Sequence, residues 1–253
     1  MPTPLEILLD PISLIIIAMF FGLFLWERIF PARKLPQVKN WVLRGLVVFA
    51  IYFYVSSYLP LLIDNYLIQY QLFDLTNLPI AVGAVIGILV FELGLYLWHR
   101  LLHKSDIFWR VFHQMHHSAE RLDMAGAFYF SITDMIGFTL LGSFSSVLLV
   151  GLAPQAVTIS LLVTTFMGMF THANINTQVW LGYIIQRPES HSVHHAKGIH
   201  AYNYSELPLF DIVFGTFRNP NDFKEESGFY MGASLKIGDM LLFKDISDSV
   251  HKD

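Results

Sequence analysis

Ten of the eleven histidines in this chain lie between residues 99 and 200, in clusters whose spacing suits metal coordination. His99 and His103 form an H-x3-H pair, which on an α-helix places two imidazoles on one face about one turn apart. His113, His116 and His117 follow as H-x2-H-H, with positions i, i+3 and i+4 expected to converge on one helical face. His191, His194 and His195 repeat that spacing, flanked by His172 and His200. Neutral imidazole binds iron, zinc, copper or nickel, so ligand type leaves the metal open. Number is more restrictive. Eight imidazoles in three clusters exceed what one tetrahedral or octahedral ion can use with positions left for chemistry, so two metal ions are implied. Nitrogen ligands without thiolate suit dioxygen activation at redox-active iron. One histidine near a membrane interface is ordinarily a polar anchor; three clusters on one face are not explained that way. A bis-histidine haem site would place its ligands within membrane spans. A zinc protease would need H-E-x-x-H, and His99-Arg100-Leu101-Leu102-His103 has no glutamate to act as base.

The elements that must position these residues are apolar. The 253 residues are 54% hydrophobic, 15% aromatic and 14% charged, against a charged share of about 25% in soluble domains. The expected fold is therefore an all-α integral membrane protein of about four to five transmembrane helices, with a helical cap carrying the histidines. Spans are predicted at about 11–30, 41–63 and 78–98, and as a hairpin over about 127–170 that turns near Gly151-Leu152-Ala153-Pro154. Residues 99–126 are too polar for hydrocarbon and read as a connecting layer. With residues 171–218 they form the predicted metal-binding cap. Residues 219–253 carry 4 Lys against 7 Asp and Glu and read as an acidic tail, with His251 beyond every motif. The whole chain reads as one membrane oxygenase domain. Glu92, the one charge in the third span, lies about two turns from His99 and either supports a ligand or packs between helices.

Composition also excludes several classes. A net charge of −4 without a basic tract gives nucleic acid little to hold, and the absence of cysteine removes disulfides and thiolate sites. The start, Met1-Pro2-Thr3-Pro4 with Glu6 and Asp10, lacks the basic region of a secretory signal, so no cleavage is expected. Arg28, Arg33, Lys34, Lys39 and Arg44 surround the first connection, whereas residues 1–10 and 64–77 contain acids and no Lys or Arg. Short cytoplasmic loops collect Lys and Arg, so the N-terminus is expected outside and both histidine segments on the cytoplasmic face.

Together the motifs resemble the fatty acid hydroxylase / sterol desaturase superfamily, in which H-x3-H, H-x2-H-H and a later H-x2-H-H supply metal ligands. A second match is His200-Ala201-Tyr202-Asn203-Tyr204 followed by Phe210-Asp211 and Phe214-Gly215-Thr216-Phe217, similar to that family's C-terminal signature. The resemblance covers about 99–217. It implies a di-iron centre with two Fe ions, O2 as co-substrate, and a lipid substrate of sterol or fatty acyl type drawn from the bilayer, to be hydroxylated or desaturated. It also implies a separate electron-transfer protein, cytochrome b5-like or a ferredoxin with its reductase, and residence in a bacterial inner membrane or the endoplasmic reticulum. His99, His103, His113, His116, His117, His191, His194 and His195 are the expected ligands. His172 and His200 are further candidates, and Glu92, Asn176, Asn203 and Asp211 are possible supporting residues. The competing class is a non-catalytic histidine-rich metal-binding protein or transporter, which would need polar residues continuing through the spans. Glu92 and Asp134 are the main candidates for that.

Overall fold

The computed structural model describes residues 1–247. It is all-α, and among the described residues five helices are long and apolar enough to cross a membrane. They are Pro11–Ile29, Trp41–Tyr70 (its last turn 3-10), Ile80–Lys104, Ile132–Leu149 and Pro154–His172, called spans 1 to 5 below. Large apolar side chains point outward from each, including Phe21, Leu62, Val85, Phe144 and Leu161. Such a surface is stable in lipid and costly in water.

Local sequence sets the ends of these helices. Span 1 begins where the Asp10 carboxylate accepts from the Ile12 backbone N–H at 2.9 Å, with Pro11 in the first turn. Span 5 begins at Pro154, after the predicted turn at Gly151. Spans 3 and 5 pack closely because Gly87 faces Ser160: a Cβ at Gly87 would lie 2.5 Å from Ser160 Oγ. Ser160 Oγ in turn donates to the Ala84 carbonyl at 3.0 Å, the small-residue contact by which membrane helices approach.

Two boundaries differ from the sequence reading. Span 3 continues unbroken to Lys104, so His99 and His103 sit on its last turns and not in a separate connecting layer. Within the segment read as an acidic tail, the described residues pack against the rest of the chain. Phe229, Ala233, Met240 and Ile246 join Trp41, Trp109 and Met115 in a buried cluster under the cap, and burying each large apolar side chain stabilises by about 1.5–3 kcal/mol. Glu120 Oε1 accepts from Gly232 N at 2.8 Å and Arg44 donates to the Ser234 carbonyl at 2.6 Å, fixing the backbone over that cluster. His251 lies outside the described residues.

Span 1 is tied to the cap by a buried acid near its end. Glu27 Oε2 accepts from the backbone N–H groups of Met124 and Asn174, both at 3.0 Å. These follow the second histidine cluster and His172 respectively, so one carboxylate registers both histidine-bearing segments.

Candidate metal centre

Nine histidines assemble into two groups among the described residues. His99, His103, His113, His117 and His194 form the first; His116, His172, His191 and His195 form the second, and within each group one ligand atom per residue lies within 4.8 Å of all the others. The H-x2-H-H triplets do not converge on a single point as their spacing suggested. In each, the i and i+4 residues serve one group and the i+3 residue the other: His113 and His117 face the first while His116 faces the second, and His191 and His195 face the second while His194 faces the first. Adjacent helical residues project about 100° apart, so neighbouring imidazoles cannot both reach one ion, but they can reach two.

Hydrogen bonding behind the rings fixes which nitrogen faces inward. The Nδ1–H of His99 donates to the Tyr204 carbonyl at 2.7 Å, that of His113 to Asp134 Oδ2 at 2.8 Å, and that of His194 to the Tyr202 carbonyl at 2.7 Å. In the second group His172 Nδ1 donates to the Gly168 carbonyl and His191 Nδ1 to Gln186 Oε1, both at 2.7 Å. The Gln186 amide is oriented by its Nε2, which donates to the carbonyls of Asn203 and Ser205. A neutral imidazole that donates from Nδ1 presents a bare lone pair at Nε2. Yet Nε2 of His99 and Nε2 of His113 are 2.8 Å apart, and Nε2 of His172 and of His191 are 3.1 Å apart. Lone pairs at that separation repel unless a cation lies between them. Cis nitrogens around an ion bonded at about 2.0–2.1 Å stand roughly 2.9 Å apart, so the residues fit a bound metal. The Nε2 atoms of His117 and His194 and both ring nitrogens of His103 are also buried without a hydrogen bond among the described residues.

His200 joins neither group. Its Nδ1 hydrogen-bonds His117 Nδ1 at 3.0 Å, behind a ring that faces the first group. Of the other expected residues, Asn203 and Asp211 shape the loop that receives the histidines. His200, Tyr202 and Asn203 all adopt positive φ, conformations that cost about 1–3 kcal/mol each. Asn203 Nδ2 offsets this by donating to the Ser190 and Arg218 carbonyls, and its Oδ1 accepts from Arg218 N. Asp211 accepts from Tyr204 N and Ser205 N, both at 2.9 Å, aiming the Tyr204 carbonyl at His99. Glu92 touches no histidine hydrogen bond; its Oε2 accepts from Glu206 N and Leu207 N on the same loop. Asn176 is exposed and is not brought to the histidines. Asp134 and Gln186 are the side chains the sequence did not reveal as histidine partners. Asp134, a buried acid in the first turn of span 4, gave a signal, whereas Gln186 and the backbone carbonyls gave none.

Burial, reinforced by neighbouring imidazoles, holds His113, His116, His117, His191, His194 and His195 well below the ordinary histidine range. Their neutral form, the one that binds metals, is therefore favoured at neutral pH. Beside the centre an apolar cavity of about 610 Å³ runs from His99, His116 and His172 up between the spans to Asp64 and Glu6. Along span 5 it extends from Val157 to His172, about 22 Å at helical rise.

Residues 84–216, containing all ten clustered histidines, match the family described as Fatty acid hydroxylase. The chain belongs to the fatty acid hydroxylase family. Among curated relatives this family member is 36% identical over 146 residues to ornithine lipid hydroxylase OlsE of Rhizobium tropici, covering 56% of this chain and 44% of that protein. It is 27% identical over 210 residues to alkylglycerol monooxygenase of Homo sapiens, covering 74% of this chain and 46% of that protein. The matched regions thus span less than half the length of these relatives. No solved structure matches the chain.

Proposed function

We propose that the protein is a membrane-bound di-iron hydroxylase acting on a lipid. In this reading His99, His103, His113, His117 and His194 hold one iron, and His116, His172, His191 and His195 hold the other. His200 orients His117. The observation that carries it is a pair of bare Nε2 atoms facing each other in each group, His99 and His113 at 2.8 Å and His172 and His191 at 3.1 Å. Iron so held would supply activation of O2 for attack on an unactivated C–H bond. The protein's part is to keep the imidazoles neutral and aimed, through Asp134, Gln186 and the carbonyls of Tyr202, Tyr204 and Gly168. The apolar cavity admits a lipid chain and excludes water. Hydroxylation is favoured over desaturation because both kinds of relative are named for oxygen insertion.

The same reading places the N-terminus outside and the histidine cap on the cytoplasmic face, where a separate cytochrome b5-like or ferredoxin-type donor delivers electrons. The whole chain acts as one oxygenase domain. The transport alternative draws less support, since its two intramembrane acids are engaged: Asp134 accepts from His113 and Glu92 from the Glu206–Leu207 backbone. The test is metal analysis of iron-replete protein together with lipid profiling of a deletion strain. About two irons per chain and accumulation of one unoxidised lipid are expected. One metal per chain, or a haem Soret band, would overturn the di-iron reading, and lipids that gain a double bond and no oxygen would overturn hydroxylation.

A further inference from the structure

The segment Tyr204-Ser205-Glu206-Leu207 passes from the cap into the wall of the cavity, and its backbone is held from two sides. Asp211 accepts from Tyr204 N and Ser205 N, while Glu92 Oε2 accepts from Glu206 N at 2.9 Å and Leu207 N at 2.8 Å. The Glu206 side chain borders the cavity and is received by span 5 at Gly168. A Cβ there would lie 2.5 Å from Glu206 Oε1, so glycine is what leaves the carboxyl its place. Gly168 also supplies the carbonyl that accepts from His172 Nδ1 at 2.7 Å, so the carboxyl lies beside the residue that orients that imidazole.

No hydrogen bond to the histidines uses this carboxyl. Glu206 Oε2 and Glu92 Oε1 are buried and take no hydrogen bond from any N–H or hydroxyl of the described residues. Glu92 is the neighbouring acid that acts on the Glu206 carboxyl, so a protonated Glu206 has an acceptor for its O–H. Burial first, and the Glu92 carboxyl second, hold Glu206 well above the ordinary carboxyl range, which favours its neutral form. A neutral acid in an apolar wall suits a neutral donor. An ammonium group brought there would lose its hydration without gaining a full countercharge.

We propose that Glu206 is a specificity-determining residue: its Oε1 accepts a hydrogen bond from a neutral N–H or O–H group carried by the lipid near the carbon presented to the histidines. The substrate class is thereby narrowed to lipids with an amide or hydroxyl near the oxidised carbon. This rests on the cavity being the lipid site, as argued above.

The test is binding to full-length, iron-replete protein in detergent, followed by isothermal titration calorimetry, with three probes of equal chain length: an N-acyl amino acid lipid, its O-acyl ester counterpart, and the same ester with a β-hydroxyacyl chain. Wild-type protein is expected to bind the amide, the hydroxy ester or both roughly tenfold more tightly than the plain ester, and the tighter one identifies the donor. Glu206→Leu should abolish the preference while keeping plain-ester affinity within about threefold, which also reports an intact cavity. Glu206→Gln, which retains a carbonyl acceptor, should preserve it, and Gly168→Ala should weaken it by displacing the carboxyl. Equal binding of all three probes by wild-type protein, or a preference that survives Glu206→Leu, overturns the proposal and leaves the hydroxylase reading intact. No lipid binding at all overturns both.

Discussion

His117 and His195 lie face to face, ring centroids 4.2 Å apart and planes within 11°, although each belongs to a different histidine group. In a close-packed interior a displaced ring moves its neighbour, so the two groups are mechanically one unit. His200→Ala removes the Nδ1 partner of His117 and is expected to lower metal affinity by about 10 to 100-fold. Isothermal titration of metal-free protein should show both binding steps weakened. Weakening of a single step would break the proposed link.

His116→Ala and His194→Ala each remove one imidazole, from the second and first group respectively. Each variant should lose metal and lipid oxidation, because a methyl group cannot donate to iron. His251→Ala should change neither. Metal analysis and product quantification decide it, and full activity with His116 and His194 both replaced would refute the di-metal centre.

Asp134 holds His113 by a 2.8 Å hydrogen bond between side chains that are 0% and 1% exposed. Asp134→Leu should cost about 10 to 100-fold in metal affinity, and Asp134→Asn, which keeps an acceptor oxygen, should cost less. Asn176→Ala serves as the comparison and should bind metal as wild type does. Equal affinities across all three variants would remove Asp134 from the centre.

The depressed histidines fix the sign of the pH response. Their folded-state values lie well below the 6.5 of the unfolded chain, so the unfolded state binds protons first as pH falls. Their contribution to stability is complete above about pH 6.5 and is lost as pH drops through the folded-state values. Thermal unfolding of metal-free protein in detergent should give a Tm that declines progressively below about pH 6.5. A Tm that rises on acidification over that interval would contradict the neutral assignment.

Reporter fusions at the two ends test orientation. The basic first connection predicts an external N-terminus and a cytoplasmic C-terminus. With five spans the ends must differ, and finding both on one side would exclude the five-span topology.

Much of this centre was legible in the sequence because its chemistry resides in one residue type at helical spacing. The five spans followed from hydropathy, and the turn at Gly151–Pro154 from its breakers. The partition of the histidines did not follow. Local spacing reports which residues share a helix face, whereas the assignment of His116 and His194 to opposite groups depends on how two helices, Gln114–His117 and Pro188–His194, are presented to one another. That presentation is set by long-range contacts such as Glu27 to Met124 and Asn174. Backbone carbonyls that hold His99 and His194 have no side-chain signature, and the placement of residues 228–247 under the cap depends on a cluster whose other half begins at Trp41.

The split of each triplet also orders the protein's biogenesis. Once span 3 and the turn after it have been synthesised, four of the five imidazoles of the first group exist: His99, His103, His113 and His117. The second group then has only His116, and gains His172, His191 and His195 from the last third of the chain. Translation proceeds from the N-terminus, and metal binding is coupled to folding. The first site therefore has four of its five imidazoles when the second has one. The second site needs span 5 and the returning segment in place, so under the di-iron reading a fully metallated chain would also be a fully assembled one.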